Sequence, residues 1–294
     1  MPSSILSYLK WTRDKGAKND FYLQKETTMT PEESEEINRA REYAEQVRKT
    51  SLCIIPNVID QAKIDRWYAS FLPLMNRHIE REGHRLNRGP HRYYITLPFI
   101  QPFADPEIFE NDIILSVVEQ LVGKDGVMCQ LATDTPLKGS EYQEIHRDTQ
   151  LLFPETGKET PPYQLAVNFP LVDMTMENGP FEVALGTHML SKEEGLRQLE
   201  GGEVKLEPVL LKKGDVMVRD VRHLHRGTPN KTDTPRPMVV IGYSRRWLFR
   251  PEVNIVIPRK VWETLSERAR FWLRFNPVVD ELQEGEEKYQ AFAF

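Results

Sequence analysis

A histidine and an aspartate two residues apart, His146 and Asp148, are the pair of side chains in this sequence best suited to share one metal ion. Residues i and i+2 point to the same side of an extended strand, whereas on a helix they point in roughly opposite directions. The pair therefore predicts a metal site, provided that it lies on a strand. With one more histidine, it would make the two-histidine, one-carboxylate set that suits non-haem Fe(II) and leaves coordination positions open.

The third ligand is expected from a later segment that contains His223 and His225. If this segment folds as a hairpin that is symmetric about Asn230 and Lys231, His225 stands opposite Arg236, and directly opposed residues of antiparallel strands face the same side. Arginine presents a planar, permanently charged fork that fits a carboxylate, so Arg236 is the expected anchor for a dicarboxylic acid that chelates the metal. A solvated turn residue is the alternative for Arg236, and spacing alone does not choose between the two histidines.

The composition is that of an ordinary globular protein, with 294 residues, 39% hydrophobic and 28% charged side chains, and a net charge of −5. The negative charge argues against a nucleic-acid or anionic-membrane partner. No segment approaches the ~20 apolar residues of a membrane span, and Met1 to Asn19 lacks the apolar core of a signal peptide. Cys53 and Cys129 lie in apolar runs and are expected to be buried thiols. We therefore expect a soluble, cytoplasmic protein with a small-molecule substrate, and a homodimer remains open.

Helices are predicted before residue 127 and after residue 244. Residues 1–29 are polar and lack a clear period, which predicts an arm. Thr30, Pro31 and Glu33 are typical of a helix start, with a capping hydroxyl, a proline at the first position and an acidic residue three after the cap. The predicted helices are 31–48, a second one that Asp60 caps, 107–122 and 259–274.

Short β-rich runs separated by turn signals occupy most of the chain between Val127 and Ser244. Together with earlier runs at 51–58 and 91–99, the predicted strands are 127–134, 143–148, 163–172, 179–184, 204–211, 215–221 and 238–244. So many short antiparallel strands need a closed or double-sheet arrangement, for which a jelly roll is one standard solution. The predicted fold class is therefore mainly β with flanking helices. A single domain, 1–294, is expected, with an arm and helix at 1–50, a jelly-roll core with packing helices at 51–250, and a helix and tail at 251–294.

Several short motifs together resemble the phytanoyl-CoA dioxygenase family of Fe(II)/2-oxoglutarate oxygenases. The motifs are His146-x-Asp148, Asn178-Gly179-Pro180, Leu185-Gly186-Thr187-His188, and His225-Arg226-Gly227-Thr228-Pro229-Asn230 followed by Arg236. The resemblance covers roughly residues 50 to 275 and implies a double-stranded β-helix, the cupin-like form of the jelly roll. It also implies that His146, Asp148 and His225 are the catalytic iron ligands and that Arg236 binds the distal carboxylate of 2-oxoglutarate.

The resemblance implies further contacts to the co-substrate. Gln130 matches a position that lies against 2-oxoglutarate, and Asn168 stands where several relatives have tryptophan. Arg88 or Arg92 approaches from the preceding segment. The alternative for each is a polar residue of the barrel wall. His188 is implied to be structural and not a fourth ligand.

The activity implied by the resemblance is oxidation of a C–H bond of a small organic metabolite, in which 2-oxoglutarate and dioxygen are consumed and succinate and carbon dioxide are released. Hydroxylation is the default outcome, and desaturation, cyclisation and endoperoxidation remain open. The presence of Asp148 implies an oxygenase, because a small residue replaces the carboxylate in halogenating relatives. Two alternatives are a jelly-roll small-molecule binding protein and a metal-dependent enzyme that does not use 2-oxoglutarate. The complete set of two histidines, an aspartate and an arginine favours the oxygenase.

Overall fold

The computed structural model describes residues 31–82, 88–156, 160–248 and 254–282. The predicted arm at 1–29, part of the basic loop before residue 88 and the tail beyond residue 282 lie outside these ranges. Within them, no helix has both the length and the apolar character that a membrane span requires.

All four predicted helical segments and most of the predicted strands are present, with the helices outside the β core, and the structure adds a helix at 192–200 and short strands at 225–227, 257–258 and 278–279. In chain order the strands are β1 (Leu52–Ile55), β2 (Arg92–Thr96), β3 (Val127–Pro136), β4 (Gln164–Pro170), β5 (Phe181–Ala184), β6 (Leu206–Val209), β7 (Val216–Asp220), β8 (His225–Gly227), β9 (Met238–Ser244), β10 (Ile257–Pro258) and β11 (Val278–Val279). The helices are α1 (Pro31–Thr50), α2 (Gln61–Glu82), α3 (Pro106–Phe109), α4 (Asp112–Val122), α5 (Lys192–Glu200), α6 (Arg259–Thr264) and α7 (Glu267–Leu273).

Two antiparallel sheets form the core. The larger sheet has the strand order β1-β7-β4-β9-β3-β2, and the smaller one has the order β6-β5-β8. Phe181 and Val183 of the smaller sheet share one hydrophobic cluster with Leu52, Met217 and Met238 of the larger sheet, so the two sheets pack face to face. This arrangement confirms the predicted jelly roll with flanking helices.

Alternation along the strands separates a helix-covered face of the larger sheet from a face that looks into the barrel. In β9, Val239 and Ile241 join the main core cluster, which also contains residues of α1, α2 and α4, whereas Met238 and Val240 belong to the clusters inside the barrel. Strand side chains alternate between the two faces of a sheet, so residues of one parity meet the helices and those of the other parity line the interior. The inward positions are the ones that can carry a site.

The predicted hairpin that places His225 opposite Arg236 is wrong. Strand β8, which begins at His225, pairs with β5 in the smaller sheet, whereas β9 pairs with β3 and β4 in the larger sheet. The connecting turn is tied to other segments, because the Asn230 side-chain amide donates to the carbonyl oxygens of Pro136 and Thr234, at 3.0 and 2.8 Å. These contacts direct the chain from one sheet to the other.

The predicted strand at 143–148 is also wrong as a regular strand. His146 instead forms an isolated bridge with His225, in which the two backbones exchange N–H···O bonds of 3.0 Å each. The Asp148 amide donates to the carbonyl of Val221 at 3.1 Å. The His-x-Asp pair is therefore held by two separate backbone contacts to one neighbouring segment and not by a continuous ladder.

Two predicted helices are each divided in two. Asn111 ends the first part of the 107–122 segment and caps α4 by accepting from the Ile114 amide at 3.3 Å. Ser266 caps α7 in the same way, accepting from the Ala269 amide at 2.9 Å. Asparagine and serine side chains satisfy free amides at a helix start, so each residue restarts a helix that periodicity alone would continue.

Both cysteines are free thiols, as predicted. Cys53 is buried, and burial raises its pKa to about 12, whereas Cys129 is only half-buried. The expectation of burial is thus met fully by the first cysteine and in part by the second.

Candidate metal centre

His146, Asp148 and His225 each direct one ligand atom towards a common point, and these atoms lie within 4.8 Å of one another. The Asp148 Oδ1 atom is 3.4 Å from His225 Nε2 and 4.0 Å from His146 Nε2. The backbone bridge between the two histidines brings their ring centroids to 4.4 Å. Among the described residues this is the cluster of histidine, cysteine and acidic side chains suited to hold a metal ion.

Backbone carbonyls fix the orientation of both imidazoles. His146 Nδ1 lies 2.7 Å from the Glu144 carbonyl oxygen, and His225 Nδ1 lies 3.0 Å from that of His223. A carbonyl only accepts, so Nδ1 is the donor in each ring and the Nε2 lone pair points to the shared position. Burial, followed by the neighbouring His225, lowers the pKa of His146 to about 4. The His146 imidazole is therefore neutral at pH 7, as metal ligation requires.

An arginine that the sequence analysis missed, Arg219, contacts the aspartate of the cluster. Its Nη2 atom donates to Asp148 Oδ2 at 2.7 Å. Burial alone would raise the pKa of Asp148, but Arg219 and then His225 outweigh that effect and hold this pKa well below its usual range. The carboxylate is therefore ionised. The signal that could have found Arg219 is a charged residue in the otherwise apolar run Val216-Met217-Val218, on the same side of the strand as Met217.

Arg236 lines the same cavity and is 1% exposed. Its Nε and Nη1 atoms have no hydrogen-bond partner, and its Nη2 atom is 3.8 Å from Asp134 Oδ2. Burial lowers the pKa of Arg236 to about 10, so the guanidinium still carries its charge at pH 7. Unpartnered N–H groups on a buried cation are costly and rare in folded proteins. These atoms fit an anionic ligand such as a carboxylate.

Arg92, the alternative from the preceding segment, is equally buried but already engaged. Its Nη1 atom donates to Asp134 Oδ2 at 2.9 Å and its Nη2 atom to the Thr228 carbonyl at 2.6 Å. A Cβ atom at Gly227 would lie 2.4 Å from the Arg92 guanidinium carbon. The glycine two residues after His225 therefore makes room for an arginine that neutralises Asp134.

The other predicted co-substrate residues divide into two groups. Gln130 and Arg88 line the cavity, where the Gln130 side-chain amide donates to the Tyr94 hydroxyl and the Arg88 guanidinium lies 4.7 Å from the Tyr94 ring centroid. Asn168 is not among the cavity-lining residues. Its Nδ2 atom donates to the Val239 carbonyl at 3.0 Å, and its Oδ1 atom accepts from Arg219 Nε at 3.1 Å. Asn168 is therefore one layer behind the site, and Tyr94 is a cavity residue outside the predicted set.

The other two histidines discussed above lie outside the three-residue cluster. His223 is fully buried, with Nδ1 at 2.8 Å from the Ser51 hydroxyl and Nε2 at 3.5 Å from Arg219 Nη1. His188 is also buried, and its Nε2 atom contacts the Arg48 carbonyl at 3.1 Å. His223 and His225 are therefore separated by their surroundings, although they are two residues apart.

A jelly roll whose interior carries two histidines, an aspartate and a buried arginine with two unpartnered nitrogen atoms around one cavity defines the class of non-haem iron oxygenases that use 2-oxoglutarate. The family model described as "Phytanoyl-CoA dioxygenase (PhyH)" matches residues 47–238. The chain therefore belongs to the phytanoyl-CoA dioxygenase family. It is an iron- and 2-oxoglutarate-dependent oxygenase, in agreement with the resemblance found in the sequence.

Solved structures show the same fold at low sequence identity. EvdMO1 is 23% identical with a TM-score of 0.56, and the match covers 71% of this chain but only 50% of that one. The epimerase SnoN in complex with Fe³⁺, α-ketoglutarate and nogalamycin RO is 18% identical, with a TM-score of 0.54 over 71% of this chain and 84% of that one. HygX from Streptomyces hygroscopicus, with nickel, 2-oxoglutarate and hygromycin B bound, is 19% identical, with a TM-score of 0.51 over 70% and 88%.

Proposed function

We propose that this oxygenase oxidises a C–H bond of a small organic metabolite, with His146, Asp148 and His225 as the iron ligands and Arg236 as the anchor for 2-oxoglutarate. One observation carries the proposal: the cavity that contains the three-donor cluster also contains a buried cation with two unpartnered nitrogen atoms. A metal site without 2-oxoglutarate would need only the first feature. The second feature is costly unless an anion fills the cavity.

Each of these residues has a distinct task. The imidazoles of His146 and His225 and the ionised carboxylate of Asp148 supply the nitrogen and oxygen donors that suit Fe(II). Arg236 binds the distal carboxylate of 2-oxoglutarate through charge-assisted hydrogen bonds. When bound, the iron with 2-oxoglutarate and dioxygen supplies the oxidising chemistry, with succinate and carbon dioxide as co-products.

The remaining cavity wall supports a small substrate of mixed polarity. Phe181, Val221 and Val240 give it apolar surface, and Gln143 and Gln164 give it neutral polar groups. The cavity is partly open to solvent. Nogalamycin RO and hygromycin B, which the similarly folded SnoN and HygX bind, also support an organic metabolite. Hydroxylation is the default outcome, with desaturation, cyclisation and endoperoxidation as the other fates of the same C–H bond.

A metabolite screen that measures succinate release tests the proposal. Protein loaded with Fe(II) and 2-oxoglutarate is expected to release succinate faster when a substrate is present, and Asp148→Ala is expected to abolish the release. Arg226→Gln is the control variant and should keep the succinate release of the unmodified protein. Arg226 pairs with Glu182 on the smaller sheet and is absent from the cavity lining. Failure of the unmodified protein to bind 2-oxoglutarate in a metal-dependent manner would refute the proposal.

A further inference from the structure

Arg219 is a buried arginine, 6% exposed, whose whole guanidinium is held in place. Its Nη2 atom donates to Asp148 Oδ2 at 2.7 Å, and its Nε atom donates to Asn168 Oδ1 at 3.1 Å. Its Nη1 atom lies 3.5 Å from His223 Nε2, and its guanidinium carbon lies 5.2 Å from the Phe181 ring centroid. Neutralisation of one carboxylate would need only the first of these contacts.

The two oxygen atoms of Asp148 therefore have different surroundings. Oδ1 faces the Nε2 atoms of His225 and His146, at 3.4 and 4.0 Å, whereas Oδ2 accepts from Arg219. A carboxylate can bind a metal through one oxygen or through both. Here the second oxygen is already occupied by a donor that cannot lose its proton.

The Asn168 side chain helps to hold the Arg219 guanidinium in this position. Asn168 links Arg219 to β9 of the same sheet, because Asn168 Nδ2 donates to the Val239 carbonyl at 3.0 Å while Oδ1 accepts from Arg219. Arg219 and Asn168 lie on β7 and β4, which are hydrogen-bonded neighbours, and both are buried. The guanidinium is thus braced from two strands of the larger sheet.

His223 is a further contact of the Arg219 guanidinium, at 3.5 Å from Nη1. A guanidinium has no acceptor atom, so His223 Nε2 must be the acceptor and Nδ1 the donor towards the Ser51 hydroxyl, at 2.8 Å. The His223 ring is therefore committed to Arg219 on one side and to Ser51 on the other.

We propose that Arg219 is a positioning residue, which restricts Asp148 to ligation through Oδ1 and thereby keeps a coordination position open for 2-oxoglutarate. The inference rests on the proposed function, since it assumes that Asp148 is a metal ligand. If Asp148 were free to turn, its second oxygen would compete with the co-substrate for the metal.

Cobalt(II) binding in the absence of turnover tests this role, because the visible absorption of cobalt reports its coordination number. Arg219→Met is expected to weaken 2-oxoglutarate binding to the cobalt-loaded protein, because both oxygen atoms of Asp148 can then bind the metal and occupy a position that 2-oxoglutarate needs. The cobalt affinity itself should not fall, and the absorption spectrum of the 2-oxoglutarate-free protein should change. Arg219→Lys should restore part of the 2-oxoglutarate affinity.

Arg147→Met is the matched control. Arg147 is also buried and stands between the two proposed ligands His146 and Asp148, but its guanidinium donates to the carbonyl oxygens of Thr187 and Leu190. This variant is expected to keep the unmodified spectrum and 2-oxoglutarate affinity. If Arg219→Met does not fold, Asn168→Ala removes the brace alone and should shift both readouts in the same direction by a smaller amount.

Two results would overturn the inference. One is a folded Arg219→Met protein, or Asn168→Ala protein where the former does not fold, with unaltered spectrum and 2-oxoglutarate affinity. The other is a loss of cobalt affinity with unchanged 2-oxoglutarate affinity, since Arg219 would then be needed for ligation itself. If the unmodified protein binds no cobalt, the proposed function fails, which is a distinct outcome.

Discussion

Replacing Arg236 with methionine should separate co-substrate binding from folding stability. In the ligand-free protein this guanidinium is 1% exposed, two of its nitrogen atoms lack a partner, and its nearest acidic oxygen is 3.8 Å away. A buried charge with so few contacts contributes little to the folded state. Its contribution should appear only when a carboxylate enters the cavity.

The magnitudes follow from these contacts. A hydrogen bond to a charged group contributes about 1.5–3 kcal/mol, and part of the gain from two such bonds is offset by desolvation of the ligand. We therefore expect Arg236→Met to weaken 2-oxoglutarate binding by about 2–4 kcal/mol, or roughly 30- to 700-fold. Burial lowers the Arg236 pKa to about 10, which corresponds to a cost of burying its charge on the order of 3 kcal/mol. The free energy of unfolding of the ligand-free variant should therefore stay unchanged or increase.

Arg92→Met is the matched control, because Arg92 is equally buried but donates to Asp134 at 2.9 Å and to the Thr228 carbonyl at 2.6 Å. Removing it leaves Asp134 without its closest cation and should lower the free energy of unfolding by about 3 kcal/mol or more. Calorimetric titration of 2-oxoglutarate into metal-loaded protein gives the affinities, and urea unfolding without ligand gives the stabilities. Unchanged 2-oxoglutarate affinity in Arg236→Met would refute the assignment of Arg236 as the anchor. A stability loss like that of Arg92→Met would refute the claim that Arg236 contributes little to the stability of the ligand-free protein.

Three further predictions concern the histidines and the turns. His225→Ala should abolish iron binding and 2-oxoglutarate turnover, whereas His223→Ala should leave iron binding largely intact; the reverse pattern would move the metal centre by two residues. Without metal, the free energy of unfolding should rise between about pH 4 and pH 6.5, because the unfolded chain binds a proton on His146 that the folded chain, with its lowered pKa, does not. His146→Gln should remove up to about 3 kcal/mol of that rise in urea unfolding with a chelator, and an unaltered slope would contradict it. Gly179→Ala should destabilise the protein by about 2–3 kcal/mol in thermal or urea unfolding, because φ is +83° and a backbone oxygen lies 2.7 Å from the added Cβ. Gly186→Ala, at a φ of +80° with no atom within 4 Å, should cost only about 1 kcal/mol.

Local patterns in the sequence predicted the fold class and the three residues of the candidate metal cluster. The short β-rich run that predicts a strand at 238–244 corresponds to β9, Met238–Ser244, because strand propensity is a local property of the residues. His146 and Asp148 are close in space because they are close in the chain, although the predicted strand at 143–148 is absent. The division into a single domain with a separate arm and tail stays a prediction.

Only the tertiary structure decided how distant residues meet around the cavity. Spacing predicted that Arg236 reaches the site through a hairpin with His225. Instead, His225 lies on β8 of the smaller sheet, Arg236 lies just before β9 of the larger sheet, and both line one cavity between the two sheets. Spacing also could not reveal that Arg92 donates to Asp134, that two nitrogen atoms of Arg236 lack a partner, or that Arg219 donates to one oxygen of Asp148. Each of these facts depends on which segments are neighbours across the barrel. The energy of a buried charge is set by those neighbours and not by its position in the chain.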